Sequence, residues 1–314
     1  MDTALVAFKE QILNAKKILI TCHDYPDLDA IGSCVALAYA LQSQSQAEVV
    51  IWVPKENLTA FQFLPLGSFI VAEFPEYFLF DTCIVCDCSN LERVKYYEKI
   101  QQCQHSFVTV NIDHHPDNSD FGDINITSLK SSVGEMLYSL FVDLKWSMSA
   151  DMATCLYAAI SFDTGRFAFS NVTQYTLLAA AKLVELGANP CLITRAIDEN
   201  KSVNDLQLIK ISIENLVVCK DYEYAYTVIP KKSPKGSVKV IDTIRQLRDL
   251  ELFIVFQELQ SKLVKVNLRS KSYVNVSKIA QHFGGGGHER AAGILFKQNL
   301  DTCMLEVTQY LNSR

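Results

Sequence analysis

The first half of the chain alternates short apolar runs with longer apolar or amphipathic segments. The short runs are almost continuously apolar, which is typical of strands in a parallel sheet that is buried on both faces. The predicted strands cover residues 17–21, 48–53, 81–86 and 106–112, and the predicted helices cover residues 29–43, 131–145, 149–161 and 173–187. This alternation predicts an α/β fold with a doubly wound, mostly parallel sheet.

The pattern changes after Gly187. Two polar amphipathic segments, at about 190–200 and 203–216, predict a helical connector. A smaller α/β region follows, with predicted strands at 223–230, 252–259 and 263–270 and predicted helices at 238–247 and 301–312. We therefore divide the chain into a first domain (1–188), a helical linker (189–217) and a second domain (218–314). A length of 314 residues agrees with two domains at roughly 150 residues each.

Charge and hydropathy exclude several kinds of partner. The formal net charge is −6 and no run of Lys or Arg stands out, which argues against a large face for binding duplex nucleic acid. The first 13 residues include Lys9 and Glu10 and do not resemble a signal peptide. No stretch approaches the roughly 18 uncharged apolar residues of a membrane span. We expect a soluble, cytoplasmic protein with no membrane partner; a homodimer is compatible with the sequence.

Ten cysteines raise the question of a zinc site, and three of them lie close together in "CIVCDC", residues 83–88. If residues 82–87 form a strand, Cys83 and Cys86 point to opposite faces and cannot both bind one ion. The remaining cysteines are scattered among apolar neighbours. The pattern favours buried free thiols in a reducing compartment.

Aspartate and histidine recur where predicted strands and helices end. The segment "TCHDYPDLDAIG" follows the first strand, "CDCS" and "IDHH" end two others, and "SFDTGRF" ends a helix. Together they supply His23, Asp27, Asp29, Asp87, Asp113, His114, His115 and Asp163. The carboxyl ends of parallel strands meet at one crevice, where unpaired carboxylates would repel one another. Two divalent cations would resolve this conflict, and mixed imidazole and carboxylate ligands suit Mn²⁺, with Mg²⁺ or Zn²⁺ as alternatives.

Two adjacent histidines, His114 and His115, lie where a predicted strand ends. Because neighbouring side chains on an extended segment point to opposite faces, we expect Asp113, His114 and His115 to have separate partners.

These segments resemble the motifs of the DHH phosphoesterase family, which is named after the triplet that stands here at residues 113–115. The first motif matches His23, Asp27 and Asp29, the second matches Asp87, and the fourth matches Asp163. In the second half, "FGGGGHERAAG" (283–293) resembles the glycine-rich motif of the DHH-associated C-terminal domain. Leu28 and Cys88 depart from the usual motif residues, which bears on substrate preference rather than on metal binding.

The resemblance implies a ligand set. One cation would be held by His23, Asp27 and Asp87, and the other by Asp29, Asp87, His114 and Asp163, with Asp87 as the bridge. Asp113 would orient a histidine through its second ring nitrogen. His115 would contact the substrate phosphate, so that the two histidines turn opposite ways. Arg166 is a further candidate for phosphate contact, although an ordinary surface arginine explains it equally well.

The resemblance also implies that the C-terminal domain binds the nucleotide. The candidate substrate-binding residues are Arg269, Ser270, Gly284, Gly285, Gly286, Gly287 and His288. Glycines let backbone N–H groups approach an anion, and the small residues from Ala291 onward suggest a helix whose N-terminus would favour negative charge. Arg269 would add a guanidinium contact to phosphate.

A manganese-dependent phosphoesterase of the nanoRNase/pAp-phosphatase branch is the function that the resemblance implies. Such an enzyme degrades RNA fragments of a few nucleotides and removes the 3′-phosphate of 3′-phosphoadenosine 5′-phosphate (pAp). A phosphodiesterase for cyclic di-AMP or its linear product pApA is the alternative within the class. A non-catalytic nucleotide-binding module is the alternative from a different class, and the intact ligand set argues against it.

Overall fold

The computed structural model describes residues 3–53, 58–71, 73–94, 97–102, 106–199, 201–236 and 240–313, without the side chains of Thr59 and His288. The chain divides into two compact units, Met1–Ile197 and Asp198–Arg314. The fold is α/β in both units, as the sequence predicts.

The first unit is built on a six-stranded parallel sheet. Its strands are β1 (Lys17–Cys22), β2 (Glu48–Trp52), β3 (Ile70–Val71), β4 (Thr82–Cys86), β5 (Val108–Asp113) and β6 (Ile124–Thr127). Their order across the sheet is β3-β2-β1-β4-β5-β6, so the direction of winding reverses between β1 and β4. In open α/β sheets the loops at such a switch point form the ligand crevice.

Seven α-helices accompany this sheet among the described residues of the first unit. They are α1 (Thr3–Asn14), α2 (Leu28–Gln44), α3 (Tyr97–Gln101), α4 (Val133–Asp143), α5 (Ala150–Asp163), α6 (Gln174–Glu185) and α7 (Pro190–Asp198). Within the described ranges no single helix is both long and apolar enough to cross a bilayer; α6 and α7, which are bent by 109°, meet the length and composition criteria only as a pair.

The central strands are apolar on both faces because each face is covered. Ile18 and Ile20 of β1 pack into the core that contains α2, α4 and α5. Leu19, between them, packs on the other face against Trp52 and Phe80. This two-sided burial explains why the strands read as continuous apolar runs rather than as alternating ones.

The cysteines follow the same division. Cys83 lies in the core on one face of the sheet and Cys86 in the core on the other, which confirms that they cannot share an ion. Seven of the nine cysteines described are buried thiols, whereas Cys191 is exposed and Cys219 is half-buried. The prediction of buried thiols is therefore wrong for Cys191, which lies on the outer side of α7; Cys103 lies outside the described residues.

The second unit contains a six-stranded sheet in which β8 and β9 are parallel and the other pairs are antiparallel. The strands are β7 (Val217–Cys219), β8 (Tyr224–Ile229), β9 (Leu252–Gln260), β10 (Leu263–Ser270), β11 (Gly286–His288) and β12 (Ala291–Phe296). The helices are α8 (Val203–Glu214), α9 (Val240–Ile244), α10 (Val276–His282) and α11 (Leu300–Asn312). The predicted helix at 238–247 is represented by α9, and residues 237–239 lie outside the description.

The segment after the four glycines corrects one prediction. Ala291, Ala292 and Gly293 do not begin a helix; they form β12, which pairs with β10 and with β11. Small residues carry little helix or strand signal of their own, and here pairing within the sheet decides the conformation.

The glycine run itself ends a helix rather than preceding one. Gly284 has a φ of +76°, and its N–H donates to the Gln281 carbonyl at 3.1 Å. The N–H of Gly285 donates to the Ala280 carbonyl at 2.8 Å. These two bonds form the Schellman cap of α10, in which glycine avoids a steric penalty. A helix C-terminus carries partial negative charge, so the predicted support for an anion by a helix N-terminus is absent at this run.

Candidate metal centre

Side chains from five segments of the first unit meet at the carboxyl end of the parallel sheet. Residues after β1, β4 and β5, the start of α2 and the end of α5 supply them. Three groups have ligand atoms within 4.8 Å of one another: His23, Asp27 and Asp87; Asp29, His114 and Asp163; and Asp87, His114 and His115. The structure therefore brings together all six residues that the resemblance implies as metal ligands.

Asp87 lies between the two histidines His23 and His114. It follows β4 directly and has a positive φ of 56°, a conformation that aspartate tolerates better than most residues. Its Oδ2 is 3.6 Å from His23 Nε2, and its Oδ1 is 3.6 Å from His114 Nε2. The carboxylate thus presents one oxygen to each of the two predicted ligand groups.

The Oδ1 atom of Asp87 is buried and has no hydrogen-bond partner among the described residues. Burying a carboxylate oxygen without a donor is costly unless a positive charge compensates it. A cation between Asp87 and His114 would supply that charge. The donor set of the described residues therefore fits a divalent metal.

Asp27 begins α2 and also faces this cluster. Its Oδ1 accepts the backbone N–H groups of Asp29 and Ala30 at 3.0 and 3.2 Å, as an N-cap does. Burial, followed by the negative charges of Asp87 and Asp163, raises the pKa of Asp27 to about 6. Asp27 thus caps α2 and is also repelled by the neighbouring carboxylates, and a bound cation would offset this repulsion.

Asp29 ties α2 to the first turn of α4. The carboxylate is fully buried, and its two oxygens accept the N–H groups of Val133 at 2.8 Å and Gly134 at 2.9 Å. Burial and the charges of Asp163 and Asp87 raise its pKa. Its Oδ2 lies 3.9 Å from His114 Nε2. Asp29 therefore contacts both the first turn of α4 and His114, a member of the predicted second ligand group.

His114 presents Nε2 to the carboxylates. Nε2 is 3.2 Å from Asp163 Oδ2, and Nδ1 is 3.2 Å from the carbonyl oxygen of Lys130. Because a carbonyl can only accept, Nδ1 carries a hydrogen, and Nε2 is the ring atom that faces the acidic cluster, where a metal would take the place of its proton. This is the arrangement of a metal-binding histidine with an outer hydrogen-bond partner.

Electrostatics at His114 agree with that geometry. Burial alone would lower the pKa of its imidazole, but the hydrogen bond to Asp163 and the charges of Asp29 and Asp87 outweigh burial and raise the pKa to about 10. Carboxylates that stabilise a proton at this position would also stabilise a divalent cation.

Lys130 is a contributor that the sequence analysis missed. Its backbone carbonyl holds His114, and its Nζ donates to Ser139 Oγ at 2.7 Å and lies 4.1 Å from the centre of the Tyr175 ring. The two Nζ contacts anchor the side chain of the residue whose carbonyl bonds to His114. A backbone acceptor leaves no mark in a motif, so no sequence signal could have identified it.

His115 has a different partner. Its Nδ1 is 2.7 Å from Asp113 Oδ1 and 3.7 Å from Asp87 Oδ1. Asp113 is fully buried. The short contact indicates that His115 Nδ1 carries a hydrogen and donates it to the Asp113 carboxylate. Burial alone would lower the pKa of His115, but the bond to Asp113 raises it. Although His115 belongs to one of the three ligand groups, its Nδ1 is directed at Asp113, as the predicted orienting role of Asp113 requires.

The expectation that the two histidines turn opposite ways is wrong. Their ring centroids are 4.8 Å apart with an interplanar angle of 60°. β5 ends at Asp113, so both histidines lie in the following loop, where the alternation of a strand no longer applies. The expectation of separate partners is also wrong for Asp113 and His115, which bond to each other.

Arg166 lies in an unusual turn after Asp163. Residues 165–167 have φ values of 56°, 58° and 65°, a sequence of left-handed conformations that costs energy for non-glycine residues. The N–H of Arg166 donates to the Ser161 carbonyl at 2.7 Å, and its side chain is exposed. Its contact with a phosphate stays a prediction.

In the second unit, Arg269 lines a cavity of about 390 Å³. Lys265, Asn267 and Arg269 alternate along β10 and point to the same face, and all three line this cavity, together with apolar residues of α8 and α9. Burial lowers the pKa of Arg269, opposed by the nearby charge of Asp242. The cavity offers cationic and amide donors to a polar ligand.

The other predicted substrate residues of this unit differ in their surroundings. Ser270 is fully buried and its hydroxyl donates to the Val274 carbonyl at 2.6 Å. A Cβ at Gly285 or Gly287 would collide with backbone atoms of β12, whereas a Cβ at Gly286 would meet nothing within 4 Å. Gly284 also has open space but a positive φ, and close contacts with β12 explain Gly285 and Gly287. Gly286 is therefore the one glycine of the four to which neither reason applies.

Comparison with known families gives two matches. Residues 17–160 match the N-terminal domain of the DHH family, and residues 221–313 match the DHHA1 domain. The two matches occur in the order that the motifs indicate.

Relatives match most of the chain. The "Bifunctional oligoribonuclease and PAP phosphatase NrnA" of Mycoplasma pneumoniae is 28% identical over 300 residues, which cover 91% of this chain and 89% of that protein. The protein of the same name from Bacillus subtilis is 28% identical over 290 residues, covering 88% of each. The crystal structure of an exopolyphosphatase-related protein from Bacteroides fragilis superposes with a TM-score of 0.92 at 24% identity and covers 100% of this chain and 96% of that one. That structure shares the fold.

Proposed function

Because this chain belongs to the DHH family of phosphoester hydrolases, we propose that it is a manganese-dependent enzyme acting on short oligoribonucleotides and on pAp. It would release mononucleotides from the former and AMP from the latter. Relatives whose names carry both activities match about nine tenths of the chain, which supports this substrate class. In this proposal the first domain (1–188) hydrolyses the phosphoester bond and the second domain (218–314) binds the nucleotide. Residues 189–217 link the two domains.

The position of Asp87 is the observation that carries the proposal. One buried carboxylate faces His23 with one oxygen and His114 with the other, each at 3.6 Å. A bridging carboxylate between two cations requires this arrangement. His23 and Asp27 would complete one site, and Asp29, His114 and Asp163 the other. Mixed imidazole and carboxylate donors favour Mn²⁺.

Different residues of this chain would contact different parts of the substrate. Bound divalent cations would polarise the phosphate oxygens and lower the pKa of an attacking water. His115, held by Asp113 through Nδ1 at 2.7 Å, would contact a phosphate oxygen through Nε2. Arg166 would contact a second phosphate oxygen, and Arg269 would bind the nucleotide portion by a charge-assisted hydrogen bond.

A substrate panel with controlled metal content tests the proposal. Protein stripped with EDTA is assayed on pAp, a diribonucleotide, pApA and cyclic di-AMP, with and without added Mn²⁺, Mg²⁺ or Zn²⁺. We expect turnover of pAp and the diribonucleotide to depend on added metal and to be fastest with Mn²⁺. Full activity in the stripped protein would reject the metal centre, and faster turnover of cyclic di-AMP than of the other substrates would favour the cyclic dinucleotide alternative.

A matched pair of variants connects the activity to the site. Asp87→Asn removes the charge of the bridging carboxylate and should lower the rate by more than about 10²-fold, since even outer partners of metal ligands account for 10- to 100-fold. Asp143→Asn, at the exposed end of α4, makes the same chemical change away from the cluster and should leave the rate unchanged. Equal rates for the two variants would show that Asp87 is not a ligand.

A further inference from the structure

The carboxylate of Asp113 is held by two side chains, only one of which the proposed function uses. His115 Nδ1 contacts Oδ1 at 2.7 Å, and Asn118 Nδ2 donates to Oδ2 at 2.5 Å. Asp113 has no exposed surface. A buried carboxylate adopts the orientation in which its oxygens find donors, so Asn118 decides, together with His115, how Asp113 is turned.

The amide of Asn118 is itself fixed by four hydrogen bonds. Its Oδ1 accepts from Asn111 Nδ2 at 2.8 Å and from the backbone N–H of Asp120 at 2.7 Å. Its Nδ2 donates to the carbonyl of Cys88 at 3.2 Å as well as to Asp113. A backbone N–H can only donate and a carbonyl can only accept, so the amide cannot flip without losing both of these bonds.

These bonds connect three parts of the first unit. Asn111 is buried in β5, Cys88 follows β4 two residues from its end, and Asn118 lies in the loop after β5. The position of Asn118 is therefore set by the sheet rather than by the loop alone. Rigid elements hold a site more accurately than loops do.

We infer that Asn118 is a positioning residue: through Asp113 it holds the His115 ring with Nδ1 toward Asp113 and Nε2 toward the phosphate. This inference rests on the proposed function, because it requires His115 to contact the substrate. Asn118 itself touches neither substrate nor metal in this arrangement. Without its amide, Asp113 can rotate and the His115 ring loses its fixed direction.

A double-mutant cycle on His115 and Asn118 separates positioning from a general structural role. Asn118→Ala, His115→Ala and the double variant are compared with wild type for kcat and KM on a diribonucleotide with saturating Mn²⁺. We expect Asn118→Ala to lower kcat about 10- to 100-fold, by analogy with carboxylates that orient metal-bound histidines, with little change in KM. In the His115→Ala background the same substitution should change kcat less than about twofold, because the ring that Asn118 positions is gone.

Three further measurements make the outcome decisive. Bound metal, measured by elemental analysis, should stay at the wild-type level in Asn118→Ala, because no ligand is removed. Asn125→Ala is the control, since Asn125 bonds to Asn111 at 3.3 Å and to Gly122 but, among the described residues, makes no hydrogen bond to Asp113; its kcat should equal that of wild type. If Asn118→Ala does not fold, Asn118→Ser, which is too short to reach Asp113 with the same geometry, is carried through the same cycle.

The results that would overturn the inference are distinct from failure of the proposed function. A wild-type kcat in Asn118→Ala, a loss of metal, or an equal loss of kcat in both backgrounds would each show that Asn118 does not act through His115. An inactive wild-type protein on every phosphoester tested would instead reject the proposed function on which the inference rests.

Discussion

At the scale of single residues, the two adjacent histidines differ in what their Nδ1 atoms contact. His114 gives Nδ1 to the Lys130 carbonyl and directs Nε2 at Asp163, Asp87 and Asp29. His115 gives Nδ1 to Asp113. The contacts of His114 Nε2 with three carboxylates favour a ligand role for His114, whereas the contact of His115 with the substrate phosphate stays a prediction.

His114→Ala and His115→Ala should fail in different ways. The loss of His114 removes a ligand, so bound metal should fall and added Mn²⁺ should restore part of the rate. The loss of His115 removes a contact to phosphate and should lower the rate by about 10²–10³-fold, by analogy with preorganised oxyanion donors, with normal metal content. Elemental analysis and rates measured against Mn²⁺ concentration check both. Loss of metal in His115→Ala, with retention in His114→Ala, would reverse the two roles.

Arg269→Ala should weaken nucleotide substrates far more than a small aryl phosphodiester. Arg269 lines the cavity on β10, and loss of a charge-assisted hydrogen bond to phosphate is worth roughly 1.5–3 kcal/mol, or about 10- to 100-fold in KM. Kinetics on a diribonucleotide and on bis(p-nitrophenyl) phosphate give the comparison. Arg248→Ala, at an exposed arginine of the same unit, should change neither. Equal losses on both substrates would indicate that Arg269 supports folding instead.

At the scale of elements, the site depends on the close approach of α2, α4 and α5. The N–H of Gly134, in the first turn of α4, donates to Asp29 at 2.9 Å. A Cβ at Gly134 would lie 2.6 Å from the Cβ of Ala159 in α5 and 3.4 Å from Asp29 Oδ1. Glycine is needed here because no side chain fits between the helices, and the same helices carry Asp29 and Asp163.

Gly134→Ala should therefore reduce both stability and metal binding. Overpacking of this kind costs about 1–3 kcal/mol in the free energy of unfolding, and the displaced α4 would no longer hold Asp29. Urea unfolding and Mn²⁺ titration measure the two effects. Gly286→Ala is the matched control, because its Cβ would meet nothing within 4 Å, and its unfolding free energy should equal that of wild type. An unchanged Mn²⁺ affinity in Gly134→Ala would show that α4 does not position the ligands.

At the scale of the whole molecule, metal binding should be coupled to stability. The cluster gathers carboxylates whose pKa values are raised by burial and mutual repulsion, as for Asp27 and Asp29. A ligand that binds only the folded state stabilises it by about 2.7 kcal/mol at a concentration 100 times its Kd. Repulsion within the cluster and its relief by a cation thus act on the fold as well as on the chemistry.

Added Mn²⁺ should raise the unfolding temperature of wild-type protein, and EDTA should lower it. Asp87→Asn, which loses the charge that faces both histidines, should show a much smaller increase with Mn²⁺. Differential scanning calorimetry at a series of Mn²⁺ concentrations measures the dependence. An equal increase in wild type and Asp87→Asn would place the stabilising cation elsewhere in the chain.

The sequence alone determined the α/β class, the central strands and the residues that converge. Continuous apolar runs report burial on both faces, and parallel strands bring their carboxyl ends to one edge, so His23, Asp87 and His114 could be predicted to meet. The short edge strands β3 and β6 escaped prediction because two to four residues, half-buried or exposed, give no clear period. The central strands could be predicted and the edge strands could not, because only full burial produces a clear local pattern of apolar residues.

Only the tertiary structure decided which atoms face one another. Lys130 reaches His114 across 16 positions and Cys88 reaches Asn118 across 30, and neither bond has a local pattern. The small residues of β12 became a strand because β10 and β11 pair with them, and the loop after β5 placed both histidines on one side. Hydrogen-bond partners and loop directions depend on groups far apart in the chain, so they are settled only when the elements have packed.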